Sequence, residues 1–113
     1  LTSGNKRVLL CERGIRTFEG YVRNTFALAI VPALKEKTHL PVLADPSHGT
    51  GVRSLVPPMT KASIACGADG ILIEVHPNPE KALTDGAQTM AVKDFAKLVQ
   101  ECKAVAEAVG RSI

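Results

Sequence analysis

The residues in this chain with the best claim to chemistry are one imidazole and two carboxylates, His48 and Glu74 at or just beyond the end of an apolar run and Asp85 in the loop further on. His48 lies in Asp45-Pro46-Ser47-His48-Gly49-Thr50-Gly51, Glu74 in Glu74-Val75-His76-Pro77, and Asp85 in the loop that follows. One nitrogen and two carboxylate oxygens converging on a point make a hard-to-borderline donor set, suited to Mn²⁺, Fe²⁺, Co²⁺ or Zn²⁺. A plainer reading fits the spacing equally: His48 capping a turn, Glu74 pairing with an Arg, and Asp85 stabilising its loop. Upstream, Glu12-Arg13-Gly14-Ile15-Arg16 closes another apolar run with guanidinium groups, which suit phosphate oxygens.

Whether these residues can meet depends on the elements that carry them. Residues 8–11, 41–44 and 70–75 are short, nearly continuous apolar runs, the pattern of strands covered on both faces. Each is followed by a helical stretch, and a strand spacing of roughly 30 residues is that of a βα unit in a parallel sheet. The predicted order is βαβαβα, an α/β fold. The first helix is expected over 32–37, opening on Pro32, and the second over 55–66, with Pro57 and Pro58 in its first turn and Gly67 as its stop. The third is expected over 95–109, where Phe95, Leu98, Val99, Cys102, Val105, Ala106 and Val109 recur at three- and four-residue steps before Gly110; Thr89 is its candidate cap. In a parallel sheet the strand C-termini share one rim. The long polar connections 13–24, 45–54 and 76–90 leave from it, where α/β folds assemble their sites. No linker or low-complexity segment interrupts 1–113, so no internal domain boundary is expected.

Composition narrows the partners. The net charge of +3 comes from scattered Lys and Arg, and one Tyr, three Phe and no Trp offer little to stack on bases, so nucleic acid is not expected and small anions are. No run of about 18 apolar residues exists, and residues 1–7 lack the apolar core of a signal peptide, so no membrane partner and a cytoplasmic location are expected. Cys11, Cys66 and Cys102, odd in number and widely separated, are expected as reduced thiols in packing roles.

The strings CERGIRTFE (11–19), DPSHGTG (45–51), IEVHPNPEKAL (73–83) and TDGAQ (84–88), in this order across residues 4–109, resemble the successive signatures of the 3-deoxy-D-arabino-heptulosonate 7-phosphate (DAHP) synthases, of the group close to 3-deoxy-octulosonate 8-phosphate synthase. The resemblance implies a (β/α)8 TIM barrel, of which residues 1–113 would be the C-terminal portion: about three consecutive βα units, resembling units 6–8. It implies a divalent metal held by His48, Glu74 and Asp85 together with a Cys on the first barrel strand, upstream of anything present here. Cys11 is not that cysteine, and strand alternation turns it inward as packing. It implies that Arg13 binds the phosphate of phosphoenolpyruvate; beyond the resemblance, His48 is expected to have a catalytic part in moving a proton. Arg16, Arg23 and Arg53 are expected as solvated surface residues, His39 as a polar loop residue, and His76, on the face of Glu74, as a group behind the metal ligands. Gly49-Thr50-Gly51 offers either backbone N–H groups to an anion or a flexible turn.

The reaction implied is a condensation of phosphoenolpyruvate with erythrose 4-phosphate and water, giving DAHP and phosphate, the first step of the shikimate route to aromatic amino acids. Residues 15–19 and 45–48 favour the four-carbon aldose over arabinose 5-phosphate, the substrate of the sister synthase. A fragment of that sister enzyme and a non-catalytic half-barrel assembly piece are the alternatives. A whole barrel has eight βα units and typically at least about 200 residues. The family's active-site Lys also lies upstream, and Leu1 in place of Met suits a piece of a longer chain. Residues 1–113 alone are therefore expected to be inactive. Three strands leave two unpaired edges and an apolar face with Leu9, Cys11 and Leu72, so a homo-oligomer, or association with the missing barrel half, is expected.

Overall fold

The short apolar runs do form a parallel sheet, and the amphipathic stretches between them cover one of its faces. The computed structural model describes residues 1–113. In chain order the elements are β1 (Leu10–Glu12), α1 (Ile30–Lys35), β2 (Val42–Ala44), α2 (Pro46–Thr50), α3 (Val56–Ala65), β3 (Gly70–Ile71), β4 (Val75–His76), β5 (Met90–Ala91) and α4 (Val92–Ala108). Strands β1, β2 and β3 lie side by side in that order, all parallel, with Leu10 opposite Val42, Cys11 opposite Leu43, and Leu43 opposite Gly70. Alternation sends Leu10, Val42, Ala44 and Ile71 to one face, where they pack with Val31 of α1 and Ala68. A second core joins α3, β5 and α4 through Val56, Ile64, Met90, Leu98, Cys102 and Ala106. The opposite face of the sheet, carrying Cys11 and Leu43, has no helix over it, and by alternation Leu9 and Leu72 belong there too, 53% and 44% exposed.

Several elements differ from the sequence reading. The first strand starts two residues and ends one residue later than expected, and α1 starts at Ile30, two residues before Pro32, which still sits in the first turn, where a missing N–H costs nothing. The expected strand over 70–75 is two strands. β3 ends at Ile71, and β4 begins at Val75 and pairs in parallel with β5 rather than with β2. The break falls at Glu74, whose N–H donates to the Ser47 hydroxyl at 3.1 Å instead of to a neighbouring strand. Residues 46–50, read as part of a connection, form the helical turn α2. Asp45 caps it by accepting the His48 N–H, Pro46 opens it, and Gly51, at φ +68°, ends it. Helix α4 begins at Val92 with Ala91 as its N-cap, and Thr89 does not cap it: its hydroxyl donates to the Asp85 carbonyl at 2.9 Å. Gly67 and Gly110 do close α3 and α4, both with positive φ. Of the α4 stripe, Leu98, Cys102 and Ala106 are buried, whereas Val109 is 43% exposed.

Candidate metal centre

The rim at the C-terminal ends of the strands is organised by α2, a turn of five residues. Asp45 is fully buried, and both of its carboxylate oxygens are occupied. Oδ1 accepts the His48 backbone N–H at 2.9 Å, while Oδ2 lies 2.8 Å from His48 Nδ1 and 2.9 Å from Arg13 Nη1. A carboxylate oxygen facing Nδ1 favours the tautomer with its proton on that nitrogen and its lone pair on Nε2. That Nε2 points at the other two acids, 3.3 Å from Glu74 Oε1 and 3.9 Å from Asp85 Oδ2. One donor atom from each of His48, Glu74 and Asp85 falls within 4.8 Å of the others. The sequence alternatives for these residues fare differently. Glu74 faces His48 rather than an Arg, and the turn around His48 is capped by Asp45, not by His48.

Each acid is held by backbone chemistry local to it. Glu74 is fixed between the Ser47 hydroxyl, which takes its N–H, and the Met90 N–H, which donates to its carbonyl at 2.9 Å. Its Oε2 is buried with no hydrogen-bond partner. Asp85 adopts φ +54°, a left-handed conformation that Asp tolerates better than most residues, and its single carbonyl collects Gln88 N–H, Thr89 N–H and the Thr89 hydroxyl. Arg23 Nη1 donates to Asp85 Oδ1 at 3.0 Å, and that bond, ahead of all other influences, holds the Asp85 carboxyl below its ordinary range. Oδ2 is thereby left towards His48. Donor chemistry and geometry both fit a divalent cation: an imidazole nitrogen, a carboxyl held below its ordinary range, and a buried carboxylate oxygen lacking any partner.

Arg13 stands beside this group at the rim, its side chain about half exposed. Gly14, at φ +83°, makes that approach possible, since a Cβ there would come within 2.7 Å of Asn24 Cβ and 3.0 Å of Gly49 Cα. Asn24 in turn donates to the His48 carbonyl at 2.9 Å. Cys11 stays outside the donor group, and burial pushes its thiol up, away from the thiolate that binds metal.

A model of the DAHP synthetase I family matches residues 1–110. The chain belongs to that family. It is 55% identical over 108 residues to the phospho-2-dehydro-3-deoxyheptonate aldolase of Thermotoga maritima, covering 96% of this chain and 32% of that protein. The 2-dehydro-3-deoxyphosphooctonate aldolase of Desulfosudis oleivorans is a more distant relative, 35% identical over 118 residues and matched across 42% of its length. The crystal structure of the Thermotoga maritima enzyme superposes with a TM-score of 0.95 at 53% identity, over 98% of this chain and 33% of that one. A truncated form of 3-deoxy-D-arabino-heptulosonate 7-phosphate synthase from the same organism gives the same TM-score over 42% of its chain. The fold is therefore a partial TIM barrel, and this DAHP synthetase I family chain spans about a third of the length of the Thermotoga relative.

For this family chain the sequence placed His48, Glu74, Asp85 and Arg13 on one rim, and the structure brings them together. The expectations for Arg23, Arg53 and His76 need correction. Arg23 grips Asp85, and Arg53 pins the Asp85 loop through Glu80, at 2.8 Å, and the Gly86 carbonyl, at 2.6 Å. Long flexible side chains find such partners only once the chain has folded back on itself. His76 accepts the Asn78 N–H at 3.0 Å and so braces its own turn rather than a metal ligand. His39 is exposed, as expected. The Gly49–Gly51 segment is ordered within α2 and its C-cap, not a flexible turn. Sequence reasoning gave Asp45 and Ser47 no part in positioning His48 or Glu74. The capping pattern Asp-Pro ahead of His48 was the signal available for Asp45; nothing marks Ser47.

Proposed function

We propose that this chain is the C-terminal, metal-bearing portion of a DAHP synthase barrel, one catalytic domain without an internal boundary. The activity of the assembled protein is the condensation of phosphoenolpyruvate with erythrose 4-phosphate and water, opening the shikimate route. The observation that carries this is the convergence of His48 Nε2, Glu74 and Asp85 beside an Arg13 tied to the same Asp45. In the overall reaction, C3 of the enol bonds to the aldehyde carbon, a water oxygen adds at C2, and inorganic phosphate leaves.

His48, Glu74 and Asp85 would hold the divalent ion, which supplies Lewis-acid polarisation of a substrate carbonyl. Arg13 binds the phosphate of phosphoenolpyruvate: its guanidinium keeps its charge at every relevant pH and presents a fixed fork of donors, of which Nη1 is already set by Asp45. His48 has one ring nitrogen to offer, Nε2, because Asp45 occupies Nδ1. Metal ligation and any proton transfer by His48 therefore draw on the same atom. Mn²⁺, Fe²⁺, Co²⁺ and Zn²⁺ all suit the donor set.

The uncovered face bearing Leu9 and Leu72, with its apolar exposure, supports association with the remainder of a barrel or with further copies of the chain. The partners we assign are phosphoenolpyruvate and erythrose 4-phosphate, and neither nucleic acid nor membrane. No helix is long and apolar enough to cross a bilayer. Three free cysteines suit a reducing cytoplasm.

The test is release of inorganic phosphate from phosphoenolpyruvate with Mn²⁺, comparing erythrose 4-phosphate with arabinose 5-phosphate, for the chain alone and combined with an upstream barrel portion. Activity only in the combination, and only with erythrose 4-phosphate, is expected. Preference for arabinose 5-phosphate would move the chain to the sister reaction, and silence in a properly assembled barrel would overturn the catalytic reading.

A further inference from the structure

Among the titratable groups near the rim, Asp45 is the only one with no exposure at all, and it neither faces the other two acids as a ligand nor stands free to meet a substrate. Its position is fixed on four sides. Its N–H donates to the Glu12 carbonyl at 2.8 Å, its own carbonyl accepts the Gly49 N–H at 2.8 Å, and its Oδ1 caps α2. The remaining oxygen, Oδ2, receives two cationic or potentially cationic donors from different elements, His48 Nδ1 from α2 and Arg13 Nη1 from the loop after β1. Burying a carboxylate away from water is costly, and partners that hold both of its oxygens offset that cost.

We infer that Asp45 is the positioning residue of the site, through which one carboxylate oxygen sets both the tautomer of His48 and the aim of Arg13. This rests on the proposed function above and adds to it a residue that touches neither metal nor substrate. The physical reason is directional. The Asp45 acceptor at Nδ1, at 2.8 Å, is nearer than the Glu74 oxygen 3.3 Å and the Asp85 oxygen 3.9 Å from Nε2, and so draws the proton to Nδ1 and leaves the Nε2 lone pair facing those two acids. The same oxygen fixes one arm of the Arg13 fork, so the rest of the guanidinium is presented to an incoming anion with little rotational freedom left to lose. The metal and phosphate subsites are on this account one unit.

Three measurements on the chain test this. In the metal-free chain at pH about 9, well above the ordinary histidine value of about 6.5, ¹⁵N resonances should show His48 protonated at Nδ1, and Arg13 should show restricted rotation about its Cζ–Nη bonds. Asp45→Asn presents an amide that can donate to Nδ1. It should move the His48 proton to Nε2, release the Arg13 rotation, and weaken Mn²⁺ binding by about 10- to 100-fold. Ser63→Ala, in α3 and away from the rim, should change none of these. A wild-type His48 carrying its proton at Nε2 would overturn the inference, and so would Mn²⁺ affinity within about twofold of wild type in a folded Asp45→Asn chain. Should that variant fail to fold, the wild-type resonances still decide. Should the wild-type chain and the assembled barrel both ignore Mn²⁺, the proposed function falls, while the tautomer and the Arg13 rotation continue to report on Asp45.

Discussion

Ser47 and Ser63 are both fully buried, both sit in helical segments, and both use their hydroxyl on a backbone group, yet removing the two hydroxyls should have very different consequences. The Ser63 hydroxyl donates to the Met59 carbonyl one turn back, an oxygen inside α3 that the helix ladder also serves. Ser63→Ala therefore forfeits a secondary bond and should cost at most about 0.5–1 kcal/mol. The Ser47 hydroxyl is the acceptor for the Glu74 N–H at 3.1 Å, at the point where the strand breaks between β3 and β4. Ser47→Ala strands that N–H, and an unsatisfied buried donor costs about 1–3 kcal/mol. The partial burial of this bond puts the expectation towards the lower end. At this chain length each kcal/mol lowers the melting temperature by roughly 4 °C or more. The loss should also have a second signature: with Glu74 no longer tethered, Mn²⁺ should raise the melting temperature of Ser47→Ala less than that of Ser63→Ala. Paired thermal denaturation, with and without Mn²⁺, reads both. Equal costs, together with equal Mn²⁺ stabilisation, would refute the claim that Ser47 places Glu74.

Asp69 makes a pH-dependent contribution elsewhere. A hydrogen bond from Lys35, followed by one from the Val42 N–H, holds its carboxyl below the ordinary value of 3.8. A depressed folded-state value means that the stabilisation is complete above the unfolded value and is lost as pH falls through and below it. Asp69→Asn should therefore flatten the acid limb of a stability-against-pH curve while changing its shape little near neutrality; an unchanged acid limb would remove Asp69 from the account. Gly14→Ala forces a side chain onto a left-handed backbone and into Asn24 and the Gly49 backbone, so it should cost about 1–3 kcal/mol and, on the function proposed above, weaken phosphoenolpyruvate binding by displacing Arg13 from Asp45. Denaturant unfolding and a binding titration check this, and full stability would show that the loop has room the geometry denies.

Residue type and local periodicity were enough to determine the three parallel strands, the helices α1, α3 and α4 that follow them and the Leu98, Cys102 and Ala106 part of the α4 stripe, because each follows from interactions within a few residues of chain. They also determined that His48, Glu74, Asp85 and Arg13 share a rim, since parallel strands put all their C-termini at one end. Tertiary structure decided which atoms face which. The 70–75 run is apolar but for Glu74 and reads as one strand, yet the Glu74 N–H turns to a hydroxyl of α2, a contact spanning 27 positions that no local pattern encodes. The division of the Asp45 oxygens between His48 and Arg13 likewise depends on β1 and β2 lying in register, with Glu12 opposite Ala44. Arg23 and Arg53 look like solvent-exposed charges in sequence. They become supports of the Asp85 loop only because packing carries them there. Donor chemistry is a property of residue types and so is legible early, whereas the aim of each donor is fixed by hydrogen bonds between segments distant in the chain.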